Sequence, residues 1–365
     1  MTTPYDVSLQ GQDLRGQVFV DLTLRNGHWE RCDLRNTRFE RCVIDAWSIR
    51  NCQLEGARFI DCRVQGLDAI ETNFDAVILE SGLWHDVSIV DASMTGTRLI
   101  DVAMEQWLLL RCGLDALAMD SCKASFLTCQ ACHGDGLTVS QGQLLDTVWF
   151  DASMKKACFQ GMRIERLVMG GGDWIEARFH EVEGQLATWH DVRLEALHIQ
   201  APTWRNLRWH RCGLLDADLR QACLQHAVGV ESTFRRVRFD HANLAQARFD
   251  ASVLIDCHLP GVDASGSSWR GSQLLTCDLD RARLEHSDWR FARWQHCDAS
   301  DIQAAGAHWH GSRRNDAEPG PCSHPDAEDI SLAASGSWRQ RYRDETFPQD
   351  PTPMARRRHV QPSAV

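Results

Sequence analysis

From Leu9 to Trp309 the chain returns to a core-type residue every five positions, sixty-one times without a slip. Fifty-two of these positions hold Leu, Ile, Val, Met, Phe or Trp. Ala takes five (69, 124, 264, 299 and 304), Cys129 takes one, and Gly134, Gly184 and Gly229 have no side chain. A period of five matches neither the 3.6 of a helix nor the 2 of a strand, so neither template describes the chain. A beat this long requires stacked copies of one structural unit, in which each copy contacts only its neighbours.

A second inward position lies two residues before each core position and is mostly small: Cys32, Thr37, Cys42, Ala57, Ala152, Ala217 and Ala242 are examples. The other three positions are mostly polar. The unit therefore reads small, polar, large apolar, polar, polar, as in Cys32-Asp33-Leu34-Arg35-Asn36 and Ala242-Asn243-Leu244-Ala245-Gln246. These units resemble the pentapeptide-repeat family, A(D/N)LXX, over about residues 7–312. The residue before the core position departs from that pattern, being often Arg, Ser or His.

The resemblance implies an all-β fold: a right-handed quadrilateral parallel β-helix (a solenoid) of about 15 coils, one pentapeptide per side and 20 residues per coil. The residues carry the larger period independently. Of eleven core Trp, seven share one phase of 20 (29, 149, 189, 209, 269, 289, 309), while six of nine core Phe lie ten residues away (19, 39, 59, 159, 179, 239). Trp and Phe are thus expected to enter from opposite sides. About 15 coils at the interstrand spacing of roughly 4.8 Å make a rod about 70 Å long.

Seven of ten prolines lie within 319–362, which marks a boundary. Residues 1–312 are read as the pentapeptide-repeat β-helix. Residues 313–365 are read as a short, mostly irregular C-terminal tail: a linker, a cap helix near 326–345, then a disordered end. The tail is expected to cap the rod or to join two copies as a homodimer. It is neutral, so residues 1–312, with 31 basic and 42 acidic groups, hold the whole net charge of −11. Arg outnumbers Lys 36 to 3, which suits bidentate pairing along a ladder. Residues 1–11 show no signal-peptide pattern, and no apolar run is long enough for a membrane span, so a reducing cytoplasm is the expected compartment.

Several motifs look like chemistry. Cys129-Gln-Ala-Cys132-His133 spells the haem-attachment pattern, but the register buries both thiols, so no cofactor is assigned. Eleven of fifteen cysteines occupy the small inward position and are read as corner-filling apolar groups. His190 and His210 share a phase and should stack, but a histidine pair without a third ligand is no metal site. Gly170-Gly171-Gly172 is read as the one local softness. With no catalytic motif and no insertion to form a pocket, no catalytic, cofactor or metal residue is assigned and the chain is not read as an enzyme.

The expected function is a non-catalytic rigid scaffold that binds a protein partner through its charged faces. The family resemblance implies a setting as an accessory or adaptor in bacterial secretion gene sets, type VI systems included. The alternative is a DNA mimic that binds DNA gyrase or topoisomerase IV, like fluoroquinolone-resistance members of the family. A duplex about 70 Å long carries about 40 negative charges. The chain nets 11. Direct nucleic-acid binding is disfavoured by the sign of the charge.

Overall fold

Parallel pairing at a constant offset of 20 residues organises the molecule. In the computed structural model, which describes residues 5–200 and 204–314, Phe19 pairs with Phe39 and Phe39 with Phe59. Trp189 pairs with Trp209, and Leu254 with Leu274, in the same way. The described residues are all β with no helix, stacked as a four-sided β-solenoid of about 15 turns. A 10-stranded sheet forms one side from His133 to Arg314, and a 21-stranded sheet forms the other sides from Tyr5 to His210, with isolated parallel bridges continuing the ladder elsewhere. The expected cap helix and disordered end lie outside the described residues. The ladder runs through Arg313 and Arg314, which pair with Arg293 and Trp294.

Each side is identified by its core column. The Trp side carries Trp29, Ile49, Leu109, Trp149, Trp189 and Trp209; the Phe side, opposite, carries Phe39, Phe59, Phe159 and Phe179. Phe19, Phe39 and Phe59 stack with centroids 4.8 and 4.7 Å apart. Trp269 and Trp289 stack at 4.9 Å. The two columns meet across the core, with Phe179 and Trp189 5.9 Å apart. The small inward position is not always small: Trp47 and Trp107 are both buried there. Trp47 fits because Gly27 lies beneath it, where a Cβ would come within 2.9 Å of the indole.

The corners are of two kinds. In one, the core carbonyl bends back to accept the N–H three residues on, as in Thr37 to Leu34, Ala247 to Leu244 and Ser287 to Leu284. In the N-terminal coils only the side with Leu34, Leu54 and Phe74 turns this way; after residue 213 the other three sides do. The later bonded corners place Ala or Ser at the inward position, with Val262 the exception, because the tight turn leaves little room. A bonded corner also frees the N–H after the core residue, and the Asp or Asn before the core residue accepts it. Asp33 does so for Arg35, Asn243 for Ala245 and Asp263 for Ser265. On strand sides the ladder takes that N–H, and residues such as Arg38, Ser48 or His198 stand there instead. Bonded corners without Asp or Asn also occur, as at Gln53, Arg238 and His258, so corner type accounts for where an Asp or Asn acts and not for every departure from A(D/N)LXX.

Two of the three gaps in the beat are filled from the coil above. A Cβ on Gly184 would strike the indole of Trp204, and one on Gly229 would lie 2.6 Å from the Phe249 ring. Gly134 instead meets the Leu114 backbone at 2.9 Å. Gly184→Leu should therefore overpack the core, costing about 1–3 kcal/mol and lowering the thermal midpoint measured by circular dichroism. Trp204→Ala in the same chain should return part of that loss. Strictly additive losses would show that the two sites do not share this space.

Candidate protein-binding face

The abundant arginines are largely spent on neighbouring carboxylates. Five corners carry the same inter-coil staple: an Asp with an Arg directly above it, 20 residues on. They are Asp21–Arg41, Asp91–Arg111, Asp146–Arg166, Asp191–Arg211 and Asp216–Arg236, with Nε to Oδ1 distances of 2.5–2.8 Å. A second Arg nitrogen reaches Oδ2 in each, and both partners hold the left-handed conformation of the corner. The guanidinium bonds hold all five carboxyls below the ordinary Asp value. Further pairs, including Asp13–Arg15, Asp33–Arg35, Asp218–Arg220 and Asp288–Arg290, close within one unit.

The cysteine corners are buried. The eleven inward thiols each lie 3.2–3.7 Å from two backbone carbonyls. One of the two belongs to a core residue of the coil below: Cys112 donates to Ile89, and Cys257 to Phe234. These cysteines are therefore hydrogen-bond donors as well as the apolar fillers expected from sequence. Burial pushes the thiols of Cys52, Cys122 and Cys212 up to about 11.

The structure separates the haem-like motif. Cys129 and Cys132 are buried, with Cys132 bonded to the Leu109 carbonyl, while His133 is exposed on the next side. His190 and His210 lie one above the other with centroids 5.2 Å apart but with their rings tilted by 36°, and His190 is held by Asp191 and Arg211. Among the described residues no three His, Cys, Asp or Glu come together as a metal-sized cluster. The Gly170 segment does not interrupt the ladder, since Gly170 pairs with both Phe150 and His190. Its glycines accommodate close neighbours: the Phe150 ring lies over Gly170, and a Cβ on Gly172 would collide with the Ala152 carbonyl. A cavity of about 20 Å³ inside the rod, lined by Met104, Trp107, Leu109, Cys129 and Trp149 among others, is apolar and about one water in size.

The outward residues of the Trp side, one before and one after each core position, break the polar pattern. After the core residue stand Ile70, Val90, Leu110, Gln130, Phe150 and Gly170, in register from coil to coil. Before it stand Leu108, Thr128, Val148 and Val168. Phe150 is 48% exposed and Val168 41%; Ile70, Val90, Leu108, Leu110 and Val148 are half-buried. Six coils at about 4.8 Å make this apolar stripe about 24 Å long, with its two columns about 7 Å apart along each strand. Phe126 and Leu186 extend it at the adjoining corner, 53% and 43% exposed, at φ of 57° and 56°. Bulky side chains at positive φ cost backbone energy, and here exposure does not repay it.

Around the stripe the charge is acidic. Asp68, Glu71, Asp86, Asp91, Glu105, Asp146, Asp151 and Glu165 flank it, against Arg111 and Arg166, which are tied to Asp91 and to Asp146 and Glu165. Sequence reading named the charged faces and missed this stripe. Its signal was available in the outward positions tabulated at a period of 20, where 70, 90, 110 and 150 are all apolar.

Comparison with known proteins places the repeat. A family profile described as pentapeptide repeats matches in eight copies over residues 212–250 and 232–271. No curated protein matches the chain. Among solved structures, HetL of Nostoc sp. strain PCC 7120, a pentapeptide repeat protein involved in heterocyst differentiation regulation, is 17% identical. That match covers 65% of this chain and 91% of HetL, with a TM-score of 0.27. QnrB1, a plasmid-mediated fluoroquinolone resistance protein, is 16% identical over 57% of this chain and 96% of its own, with a TM-score of 0.21. The PL6-family alginate lyase AlyGC is 7% identical over 84% and 96%, with a TM-score of 0.22.

Two outcomes are expected from this chemistry. Because the five staple carboxyls are depressed in the folded state, their contribution is complete above the ordinary carboxyl range and is lost as pH falls through the lower folded values. Melting temperature should stay level above about pH 5 and fall steeply below about pH 4, and replacing the five Asp by Asn should flatten that fall. In native protein, Ellman's reagent should titrate the half-buried Cys158 and Cys223 before any of the eleven corner thiols, which should react only after denaturation. Rapid native modification of Cys112 or Cys277 would contradict the placement.

Proposed function

We propose that the chain, which matches pentapeptide repeats over residues 212–271, is a non-catalytic rigid scaffold that holds a protein partner against its Trp side. The observation that carries this reading is the apolar stripe from Ile70 to Val168, in register from coil to coil, whereas the other exposed large hydrophobics of the N-terminal coils (Val18, Val20, Val43 and Ile100) lie apart from it. Contiguous exposed apolar surface rimmed by polar groups marks interaction sites in soluble proteins. A cytoplasmic accessory or adaptor in a bacterial secretion gene set, type VI systems included, is the setting proposed for it.

The arginine staples weigh against the DNA-mimic alternative. Carboxylates at five corners are each covered by a guanidinium, so those corners do not present a continuous negative rail. Gyrase supercoiling should accordingly proceed unchanged at micromolar protein, and inhibition there would restore the alternative.

The scaffold reading is tested by affinity capture with the full chain and with a Leu110→Arg, Phe150→Arg variant. Both positions point outward, so the variant should melt within a few degrees of the parent. The proteins retained by the parent should be lost by the variant. An identical set on both columns would remove the Trp side as the binding face.

A further inference from the structure

The stripe also specifies the chemistry of what covers it. Resting on the scaffold reading above, we propose that the occupant is a cationic amphipathic helix of a partner protein, laid along the rod axis with its apolar face on the stripe and Lys or Arg on either flank.

Three observations lead there. The first is backbone accounting. On this side each strand pairs with the coil below and the coil above, as Leu109 does with Ile89 and Cys129. No open strand edge is offered, so an incoming segment cannot extend the sheet and must bind through side chains. A helix supplies such a row from a chain that satisfies its own backbone.

The second is shape. Core residues point inward between the two outward columns, which leaves a furrow along the rod between two ridges about 7 Å apart, one carrying Ile70, Val90, Leu110 and Phe150 and the other Leu108, Val148 and Val168, with Gln130 and Thr128 as a polar step between them. A helix of about 16 residues spans the 24 Å of the stripe, and its i, i+3/i+4, i+7 row matches a single furrow.

The third is charge, and it chooses among partners. Glu71 and Asp151 flank the stripe on one side, Asp86 and Glu105 on the other, and Asp68 stands at its end. None of these five carboxylates makes a side-chain hydrogen bond or ion pair among the described residues. Five uncompensated carboxylates around a dehydrated apolar strip attract a basic ligand and repel an acidic one. A second copy of this chain would bring the same acidic rim against itself. An anionic membrane surface is repelled in the same way. Cationic flanks on an apolar helix satisfy both parts of the site.

The test titrates the full chain into three labelled helical peptides of about 18 residues. One has a Leu stripe flanked by Lys, one the same stripe flanked by Glu, and one the Lys flanks with the stripe changed to Ser. The Lys-flanked Leu peptide should bind, and the other two should be weaker by about tenfold or more. Leu110→Arg should weaken the first peptide by a similar factor, and Asp86→Lys with Glu105→Lys should reverse the preference between Lys and Glu flanks. Equal affinity for Lys and Glu flanks would overturn the cationic helix while leaving the apolar face in place as a docking surface. Binding indifferent to Leu110→Arg would overturn this inference, leaving the scaffold reading to the capture experiment. Failure of all three peptides would overturn the helix alone, because the capture experiment judges the scaffold separately. Dimerisation, or co-sedimentation with phosphatidylglycerol-containing vesicles, abolished by Leu110→Arg would overturn it in favour of a second copy or a membrane.

Discussion

The parallel backbone ladder between residues 20 apart is the constraint from which the rest of this structure follows. Leu34 donates to the Gln53 carbonyl and Gln53 to the Cys32 carbonyl, and the same two steps recur up the rod. A slip of one residue would turn every core side chain to the solvent, so the register is held by burial as firmly as by hydrogen bonding. The five-residue beat never falters because a single insertion would leave an unpaired backbone group and misplace the column above it.

Once the register is set, like meets like. Phe stacks on Phe, Trp on Trp, thiol over thiol and guanidinium over carboxylate, each at the spacing of the ladder. This arrangement builds stripes far more readily than pockets, since side chains on one wall diverge or run parallel. Convergent groups of three, which catalysis and metal binding require, are disfavoured by the geometry. A linear contact with an elongated partner suits the same geometry, and the apolar stripe with its acidic rim is a surface of that type.

Much of this was legible in the residues. The beat, the coil length, the opposition of Trp and Phe and the corner positions of the cysteines all follow from spacing. What the Asp and Asn of A(D/N)LXX do was not legible in the sequence: Asp33 and Asn243 accept an N–H freed by a bonded corner, while Arg38 and Ser48 stand where the ladder takes it. Gly184 and Gly229 looked like lapses, because the aromatic ring that fills each gap arrives 20 residues later. Trp47 broke the small-residue rule for a related reason. The room for Trp47 is made by Gly27 in the coil below, which no reading of its own unit would reveal.

The sequence alone therefore determined the class of architecture, the length of its coil and the side on which each core residue enters. These depend on period, and period is a property of a linear string. The tertiary structure decided which corners close on themselves, which Arg reaches which Asp, where each thiol proton goes, and that Ile70, Val90, Leu110 and Phe150 form one exposed strip beside Leu108, Val148 and Val168. Those outcomes depend on groups about 18 to 23 residues apart meeting across coils, and only the stacked backbone brings them within reach.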